Sequence, residues 1–253
     1  MNWKKLWIRG ADETLGALYP VTCPGCDDPI PADRSVLPIC PECGPKLEEI
    51  RQPYCQICGQ TFSGRIESDF TCSNCSDRNL SFEFAVGSYA AKGLARDLMH
   101  RFKYGRNIHL VPLLGRLMEP ALRDSRISGV EKWVLVPVPL HRRRFQDRGF
   151  NQALELCRII RKRFPDRFRI SQAISRVRNT RTQAGLDREE RLTNLKGAFA
   201  LSRWKNRVRR VRGANVLLVD DVLTTGATAS ECARVLKNAA GVKAVAVVTV
   251  LRG

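Results

Sequence analysis

The sequence lacks long hydrophobic runs. No stretch of its 253 residues approaches the ~20 consecutive apolar residues that a membrane-spanning helix needs. No signal peptide is apparent either, because charged residues interrupt the apolar positions near the start. We therefore expect no membrane span, a cytoplasmic location and reduced thiols. The apolar spacing predicts a helix over residues 1–19 that packs against the body, with a membrane-surface role as the alternative.

Acidic residues are also few. The chain has 25 Asp and Glu against 43 Lys and Arg, a formal net charge of +18. Residues 141–212 contain 22 basic and 6 acidic residues, or +16, whereas residues 20–80 contain 5 basic and 9 acidic residues, or −4. So concentrated a positive charge favours a polyanionic partner. A solvated face that only keeps the protein soluble is the alternative.

Cysteine, in contrast, is abundant in one region. Eight of the ten cysteines lie before residue 76, in the pairs CPGC, CPEC, CQIC and CSNC. A shift of 32 residues maps the first four onto the second four, which indicates an internal duplication. Two C-x-x-C turns can surround one Zn²⁺ with four thiolates, so we predict two structural zinc sites over residues 20–80. The simplest ligand sets are Cys23, Cys26, Cys40 and Cys43 for one ion and Cys55, Cys58, Cys72 and Cys75 for the other.

Two alternatives remain for these cysteines. Disulfides are disfavoured in a reducing compartment, and an interleaved pairing of the C-x-x-C turns cannot be distinguished from the simple one by sequence. The other two cysteines, Cys157 and Cys232, lie in helical patterns and are predicted to be small core residues.

From about residue 81 apolar strands alternate with helices. Strands are predicted over residues 82–90, 133–139, 215–221 and 243–251, and helices over 93–105, 108–122, 151–164 and 229–241. The strands are rich in Val and show no polar alternation, which is typical of a parallel sheet covered on both faces. Sites in such α/β sheets lie beyond the carboxyl ends of the strands.

The stretch VLLVDDVLTTGAT, residues 216–228, predicts a ligand more specifically than any other motif of the sequence. Asp220 and Asp221 lie side by side where a buried strand should end, and a turn rich in Thr and Gly then opens a helix. The N–H groups at that helix start suit a phosphate monoester. The carboxylates would repel this phosphate unless they bind a sugar diol or Mg²⁺ on the same ligand. We therefore predict a sugar 5-phosphate ligand; an acidic loop before a Thr-capped helix is the alternative. A collapsed pocket, or salt links that lock both acids, would contradict the prediction.

This stretch resembles the signature of type I phosphoribosyltransferases, which is an apolar run, two acidic residues and a Thr-Thr-Gly-x-Thr loop. The resemblance implies that Asp220 and Asp221 hold the ribose hydroxyls of phosphoribosyl pyrophosphate (PRPP), bound with Mg²⁺, and act in catalysis. It implies that a phosphate loop holds the 5-phosphate. The residues of this loop are Leu223, Thr224, Thr225, Gly226, Ala227 and Thr228. The implied fold is a type I phosphoribosyltransferase-like parallel sheet flanked by helices over residues 81–253, after a double zinc ribbon over residues 20–80.

Nearly the whole chain resembles the ComF family of competence-associated proteins. The resemblance rests on the order of the cysteine pairs, RFKYGRN, VPVPLHRRRFQDRGFNQA and the signature above. It implies a pyrophosphate loop after the second strand, where guanidinium groups suit phosphate oxygens. The residues concerned are Pro139, Leu140, His141, Arg142, Arg143, Arg144 and Arg148, followed by Asn151 and Gln152 at a helix start. By the same analogy, residues 176–199 form a loop that closes over the substrate, with Arg181, Thr182 and Gln183 facing it and Arg181 in a catalytic role.

Two functions are consistent with these resemblances. One is a PRPP-binding protein with phosphoribosyltransferase chemistry, whose acceptor the sequence does not reveal. The other is a non-catalytic single-stranded DNA-binding factor for DNA uptake, in which the transferase fold serves as a scaffold. Trp204 among the six basic residues of 203–212 suits the bases and phosphates of a single strand. The ComF resemblance adds other competence proteins as expected partners.

Overall fold

The computed structural model describes residues 21–30, 37–62, 64, 70–105, 107–179 and 195–253. The helix predicted over residues 1–19 lies outside these ranges. The helices within them are α1 (Ser73–Ser76), α2 (Gly93–Tyr104), α3 (Val111–Leu117), α4 (Glu119–Leu122), α5 (Ser125–Ser128), α6 (Arg142–Arg148), α7 (Gln152–Arg163), α8 (Lys205–Arg209) and α9 (Ala227–Val235). Short 3₁₀ helices occupy Gly44–Lys46 and Ile108–Leu110, and a π-helical turn, Leu236–Ala240, follows α9. None of the helices in the described ranges has the length and apolarity to cross a membrane.

The strands build one parallel sheet and one small antiparallel pair. They are β1 (Phe84–Ala90), β2 (Trp133–Pro137), β3 (Phe168–Ile170), β4 (Ile174–Arg176), β5 (Phe199–Leu201), β6 (Asn215–Leu223) and β7 (Ala244–Arg252). The parallel sheet has the order β1-β7-β6-β2-β3, and β4 pairs with β5. The predicted parallel α/β sheet flanked by helices, preceded by a small cysteine-rich module, is thereby confirmed.

Helices cover both faces of the parallel sheet. Successive strand residues point to opposite faces, and β6 shows the consequence. Leu217 and Val219 pack in a cluster with residues of α2, α3 and α7. Val216 and Leu218 pack in a second cluster with residues of α9 and β5. All four are 0% exposed, which explains why the strand shows no polar alternation in sequence.

Two predicted elements are wrong in detail, and prolines or caps explain both. The helix predicted over residues 108–122 is broken into a 3₁₀ turn, α3 and α4, with Pro112 and Pro120 in the first turns of α3 and α4. Proline lacks the N–H that a helix interior requires, so the chain starts a new helix at each. The predicted pyrophosphate loop is partly helical, because α6 begins there. The N–H of Arg143 donates to Nδ1 of the capping His141 (3.3 Å), and α6 ends at Gly149.

The strand that carries the acid pair is longer than predicted. β6 continues to Leu223, so Asp220 and Asp221 lie within it and not at its end. Its pairing with β7 persists past the acids, with Asp220 opposite Thr249 and Leu223 opposite Arg252. The remaining predicted elements agree with the structure to within two residues at each end.

Candidate functional site

The eight paired cysteines form two tetrads. In each predicted ligand set the sulfur atoms all lie within 4.8 Å of one another. Cys26 Sγ and Cys40 Sγ are 3.6 Å apart, and Cys58 Sγ and Cys72 Sγ are 3.7 Å apart. A tetrahedron with Zn–S bonds of ~2.3 Å places its sulfurs roughly 3.8 Å apart, so both sets fit a zinc ion. The structure groups the cysteines as the simple pairing predicts and not as an interleaved pairing would, which supports two structural zinc ions. We call residues 23–43 the first ribbon and residues 55–75 the second ribbon.

Backbone N–H groups prepare the sulfurs for metal binding. Cys40 N–H donates to Cys23 Sγ, and Cys72 N–H donates to Cys55 Sγ, each over 3.3 Å. Burial alone would raise the pKa of these two thiols, yet backbone donors outweigh it and lower the pKa of Cys23 to about 6 and of Cys55 to about 7. Thiolate is the form that binds zinc. All ten cysteines lie among the described residues and all are free thiols.

A cleft of about 280 Å³ opens where β2 and β6 end. It brings together residues as far apart in sequence as Lys103 and Ala229. The predicted residues that line it are Asp220, Asp221, the whole phosphate loop from Leu223 to Thr228, Pro139, Leu140, Arg144 and Arg148. His141, Arg142 and Arg143 do not line it, because the α6 helix turns Arg142 and Arg143 to solvent.

The acid pair sits at the floor of the cleft. Asp221 N–H donates to Asp220 Oδ1 (2.9 Å), and Asp221 Oδ1 lies 3.0 Å from Lys103 Nζ. Burial and then the neighbouring Asp221 carboxylate raise the pKa of Asp220 to about 7, against the opposing charges of Lys103 and Arg148. Asp221 is therefore engaged in an ion pair, whereas the ionised form of Asp220 is destabilised. The cleft beside them stays open. The condition that would contradict the sugar phosphate prediction is met for Asp221 alone.

The phosphate loop joins β6 to α9. Gly226 adopts the left-handed conformation (φ 75°) that a side chain would disfavour, and it caps α9. Thr225 Oγ1 accepts a hydrogen bond from Ala227 N–H (3.4 Å). The first N–H groups of a helix have no carbonyl partner within the helix, and the helix dipole favours an anion there. The loop therefore presents a positive backbone surface to the cleft.

A second positive region faces the loop across the cleft. It consists of Arg144 and Arg148 on α6 and Arg176 at the end of β4. Burial and the nearby Arg144 charge lower the pKa of Arg176 to about 10, and burial and the Arg148 charge lower the pKa of Arg144. Cations that depress one another's pKa are stabilised when an anion binds between them.

Buried amides flank these arginines at the start of α7. Arg148 Nη1 donates to Gln152 Oε1 (3.2 Å), and Asn151 Nδ2 donates to the Val138 carbonyl (3.2 Å). Gln152 is 1% exposed, and its Nε2 has no hydrogen-bond partner in the described part of the chain. A buried donor without an acceptor costs free energy that an oxygen-rich ligand relieves.

The sequence did not assign three of the residues that line the cleft. Lys103 and Tyr104 end α2 and belong to the stretch RFKYGRN, which supports the family resemblance but predicts no site residue by itself. Arg176 opens the segment that was predicted to close over the substrate. No local signal placed these three next to the acid pair, because only the sheet topology does so. The predicted inward groups Arg181, Thr182 and Gln183 lie outside the described residues.

Another part of the basic segment, around α8 and the edge strand β3, does not line the cleft. Trp204 is 57% exposed, and the guanidinium groups of Arg203 and Arg207 lie 5.6 and 5.8 Å from the centre of its ring. Beside the edge strand β3, Arg161, Arg169 and Arg210 line a separate cavity of about 550 Å³. Cations and an exposed aromatic ring therefore occur together on this side of the molecule.

Comparisons with known proteins identify the cysteine-rich module and relatives of the chain. A family model described as double zinc ribbon domain matches residues 14–76. Competence protein F of Haemophilus influenzae is 33% identical over 79% of this chain and 84% of its own length. DNA utilization protein YhgH of Escherichia coli K12 is 32% identical over 71% of this chain and 77% of its own length. Competence protein ComFC of Bacillus subtilis is 24% identical over 96% of this chain and 99% of its own length.

Solved structures give a weaker match. A hypoxanthine phosphoribosyl transferase of Trypanosoma cruzi superposes with a TM-score of 0.34 and 16% identity, over 60% of this chain and 75% of that chain. An overlap at this level supports no assignment of individual residues.

Proposed function

Because the chain belongs to the ComF family of competence-associated proteins, we propose that its cleft binds phosphoribosyl pyrophosphate with Mg²⁺ and that the protein is a phosphoribosyltransferase. The observation that carries the proposal is the convergence of three groups in one cleft: the acid pair, the phosphate loop and the arginines of α6 and β4. Each of the three matches a different part of this ligand.

Each of these groups suits one part of the ligand. The phosphate loop would take the 5-phosphate through its backbone N–H groups. Asp220 and Asp221 would accept hydrogen bonds from the ribose 2- and 3-hydroxyls or hold Mg²⁺ through their oxygens. Arg144, Arg148 and Arg176 would pair with the pyrophosphate oxygens. A sugar in the middle separates the negative acids from the two anionic ends, which explains why acids lie beside an anion site.

The electrostatics of the cleft support the same ligand. Burial and the Asp221 carboxylate raise the pKa of Asp220, while burial and neighbouring arginines lower the pKa values of Arg144 and Arg176, so like charges oppose one another in both groups. A ligand that brings hydroxyl groups or Mg²⁺ to the acids and phosphate to the arginines would relieve both.

In the proposed transfer a nucleophile on the acceptor attacks C1 of the ribose while the bond from C1 to the pyrophosphate oxygen breaks. The arginines stabilise the charge that develops on the leaving pyrophosphate, and Mg²⁺ supplies further charge neutralisation when bound. Arg181 is proposed to join them. The acceptor remains to be identified.

Calorimetric titration of PRPP with Mg²⁺ tests the proposal. We expect Asp220→Asn/Asp221→Asn to weaken binding at least ~100-fold, since two charge-assisted contacts are lost. Two arginines of one helix give a matched control: Arg144→Met should weaken binding roughly tenfold, whereas Arg142→Met, outside the cleft, should leave it unchanged. Equal binding by the wild type and the double Asp variant would exclude the proposed site.

Single-stranded DNA binding in the cytoplasm is the second candidate function. The exposed Trp204 flanked by two arginines, within the segment of +16 charge, favours it, and the relatives named above carry competence and DNA utilization in their names. Binding through phosphates must weaken steeply with salt because counterions are released. We expect a steep slope of affinity against salt concentration and a several-fold loss in Trp204→Ala. A flat salt dependence would rule this function out.

A further inference from the structure

Arg252 joins the second ribbon to the phosphate loop. It ends β7 and is 7% exposed. On one side its Nε donates to the Cys58 carbonyl (2.7 Å), and its Nη2 contacts Cys58 Sγ (3.2 Å) and Gln60 Oε1 (3.0 Å). On the other side its Nη1 donates to the carbonyls of Leu223 (3.2 Å) and Thr224 (2.9 Å), and also to that of Gly253. One guanidinium thus bonds to a metal ligand and to the loop at once.

We propose that Arg252 is a positioning residue through which the metal site of the second ribbon sets the geometry of the phosphate loop. The proposal rests on the proposed function only for the identity of the ligand that the loop receives. The ligand set Cys55, Cys58, Cys72 and Cys75 fits a zinc ion, and Cys58 belongs to both that set and the contacts of Arg252.

The geometry of the peptide group explains how hydrogen bonds to the carbonyls of the loop affect the direction of its N–H groups. In a planar trans peptide the carbonyl and the next N–H point in opposite directions. Arg252 holds the Leu223 and Thr224 carbonyls, and Arg78 Nη1 holds the Thr225 carbonyl (2.9 Å). Three successive peptides are therefore fixed from one side. The N–H groups of Thr224, Thr225 and Gly226 are turned to the opposite side as a result.

Both arginines depend on the second ribbon for their position. Arg78 follows Cys75 by three residues and stays near the ligand set. The Nε and Nη2 groups of Arg252 donate hydrogen bonds to Cys58 and Gln60, which lie in and beside the Cys55–Cys58 turn. A bound metal fixes that turn, and groups that hydrogen bond to a metal ligand orient it and are oriented by it. Loss of the metal would loosen the Cys55–Cys58 turn. Arg252, which hydrogen bonds to that turn, would then hold the loop less firmly.

In its described part, the first ribbon has no arginine that hydrogen bonds to both the ribbon and the phosphate loop. Its backbone bonds instead to α2, where Arg101 Nη1 donates to the Pro24 carbonyl (2.5 Å). The duplicated sequence thus supplies two metal sites, of which the second is connected to the phosphate loop through Arg252. This asymmetry provides an internal control for an experiment.

Hydrogen–deuterium exchange of the loop amides, measured by mass spectrometry without ligand, tests the proposal on the full chain. We expect Cys72→Ser, which removes a ligand of the second site, to speed exchange of residues 222–228 roughly tenfold relative to β2. Cys40→Ser, the matched change in the first ribbon, should leave this ratio unchanged. Arg252→Met should reproduce the effect of Cys72→Ser. The double variant should exchange no faster than either single variant, because both break one connection.

A second, half-buried arginine provides a further control. Arg126 Nη1 donates to the Gln56 carbonyl (2.7 Å) and so anchors the second ribbon without contacting the loop. Arg126→Met should therefore leave loop exchange unchanged. If Arg252→Met fails to fold, Arg252→Lys keeps the charge but not the fork of donors, and intermediate loop exchange is expected.

Three results would overturn the proposal: additive effects of Cys72→Ser and Arg252→Met, unchanged loop exchange in Arg252→Lys, or equal effects of Arg126→Met and Arg252→Met. PRPP titration of the same proteins separates the two proposals. Loop exchange that follows the expected pattern, in a wild-type protein that binds no PRPP, would remove the proposed function and leave the role of Arg252 intact.

Discussion

The two ribbons have the same cysteine spacing but different connections to the rest of the protein. In the first ribbon Cys23, Cys40 and Cys43 belong to the large apolar cluster that also contains residues of α2, α3 and the sheet. In the second ribbon Cys55, Cys58 and Cys75 form a small cluster of their own. Polar contacts attach this second cluster to the body, through Arg252, Arg78 and Arg126.

This difference shows that a duplicated motif can serve two purposes after duplication. The first metal site lies against the main core, so its metal helps to hold that core. The second is connected to the phosphate loop through Arg252, so we expect its metal to help shape a binding surface. The contacts that distinguish them come from the α/β domain and not from the ribbons themselves.

The largest expected effect separates the two sites by their contribution to stability. Cys23 and Cys55 are equivalent positions of the duplication, and both are 0% exposed. Either change to Ser should lower the zinc content from two ions per chain to one. Cys23→Ser should lower the melting temperature by roughly 10 °C, and Cys55→Ser by about half as much, because only the first site lies within the main core. Calorimetry with elemental analysis measures both, and equal losses would contradict the comparison.

A smaller effect concerns the way in which the first ribbon reaches the cleft. It packs on α2, which carries Lys103, the partner of Asp221. The Lys103 charge opposes the rise in the pKa of Asp220, so Lys103→Met should raise that pKa further. The ionised carboxylate is the form that accepts hydroxyl groups or Mg²⁺. PRPP affinity should therefore rise with pH through about 7 in the wild type, and through a higher pH in Lys103→Met.

Titrations between about pH 5.5 and 8.5 check this shift. Asp220→Asn should show only the titration of the ligand's own phosphate, and an unshifted midpoint in Lys103→Met would contradict the assignment. The same pKa makes a stability prediction. Because native Asp220 keeps a proton that the unfolded chain has released between pH ~4 and ~7, its contribution to the free energy of unfolding falls as the pH rises through that range.

The smallest expected effect lies on the loop itself. Gly226→Ala places a side chain at φ 75° and should lower the free energy of unfolding by about 1 kcal/mol, or the melting temperature by roughly 3 °C. Gly213→Ala, at φ 67° with open space around it, imposes similar strain far from the loop. Both variants should keep two zinc ions, but only Gly226→Ala should weaken PRPP binding. Equal PRPP affinity of the two variants would contradict the role of the loop.

Much of the fold followed from local pattern. The Val-rich strands, the helix starts and the cysteine pairs were predicted close to their observed bounds, because periodicity and spacing act over a few residues. The errors have equally local causes: Pro112 and Pro120 divided one predicted helix, and pairing with β7 extended β6 beyond the acid pair. The candidate site was predicted in part. Asp220, Asp221 and the phosphate loop were found because they are contiguous, whereas Lys103 and Arg176 were not, because they come from separate elements.

The sequence by itself determined the four C-x-x-C pairs, the parallel α/β class and the acid pair followed by a Thr/Gly turn, since each depends on neighbouring residues. The tertiary structure decided which pairs share a site. Only the tertiary structure decided which arginines face the acids. It also decided where the last β-strand places Arg252, and therefore which ribbon is connected to the loop. Those relations join residues as far apart as Cys58 and Arg252. They are set by strand order and by the burial of opposite sheet faces, and the residues that meet across these surfaces have no common local pattern.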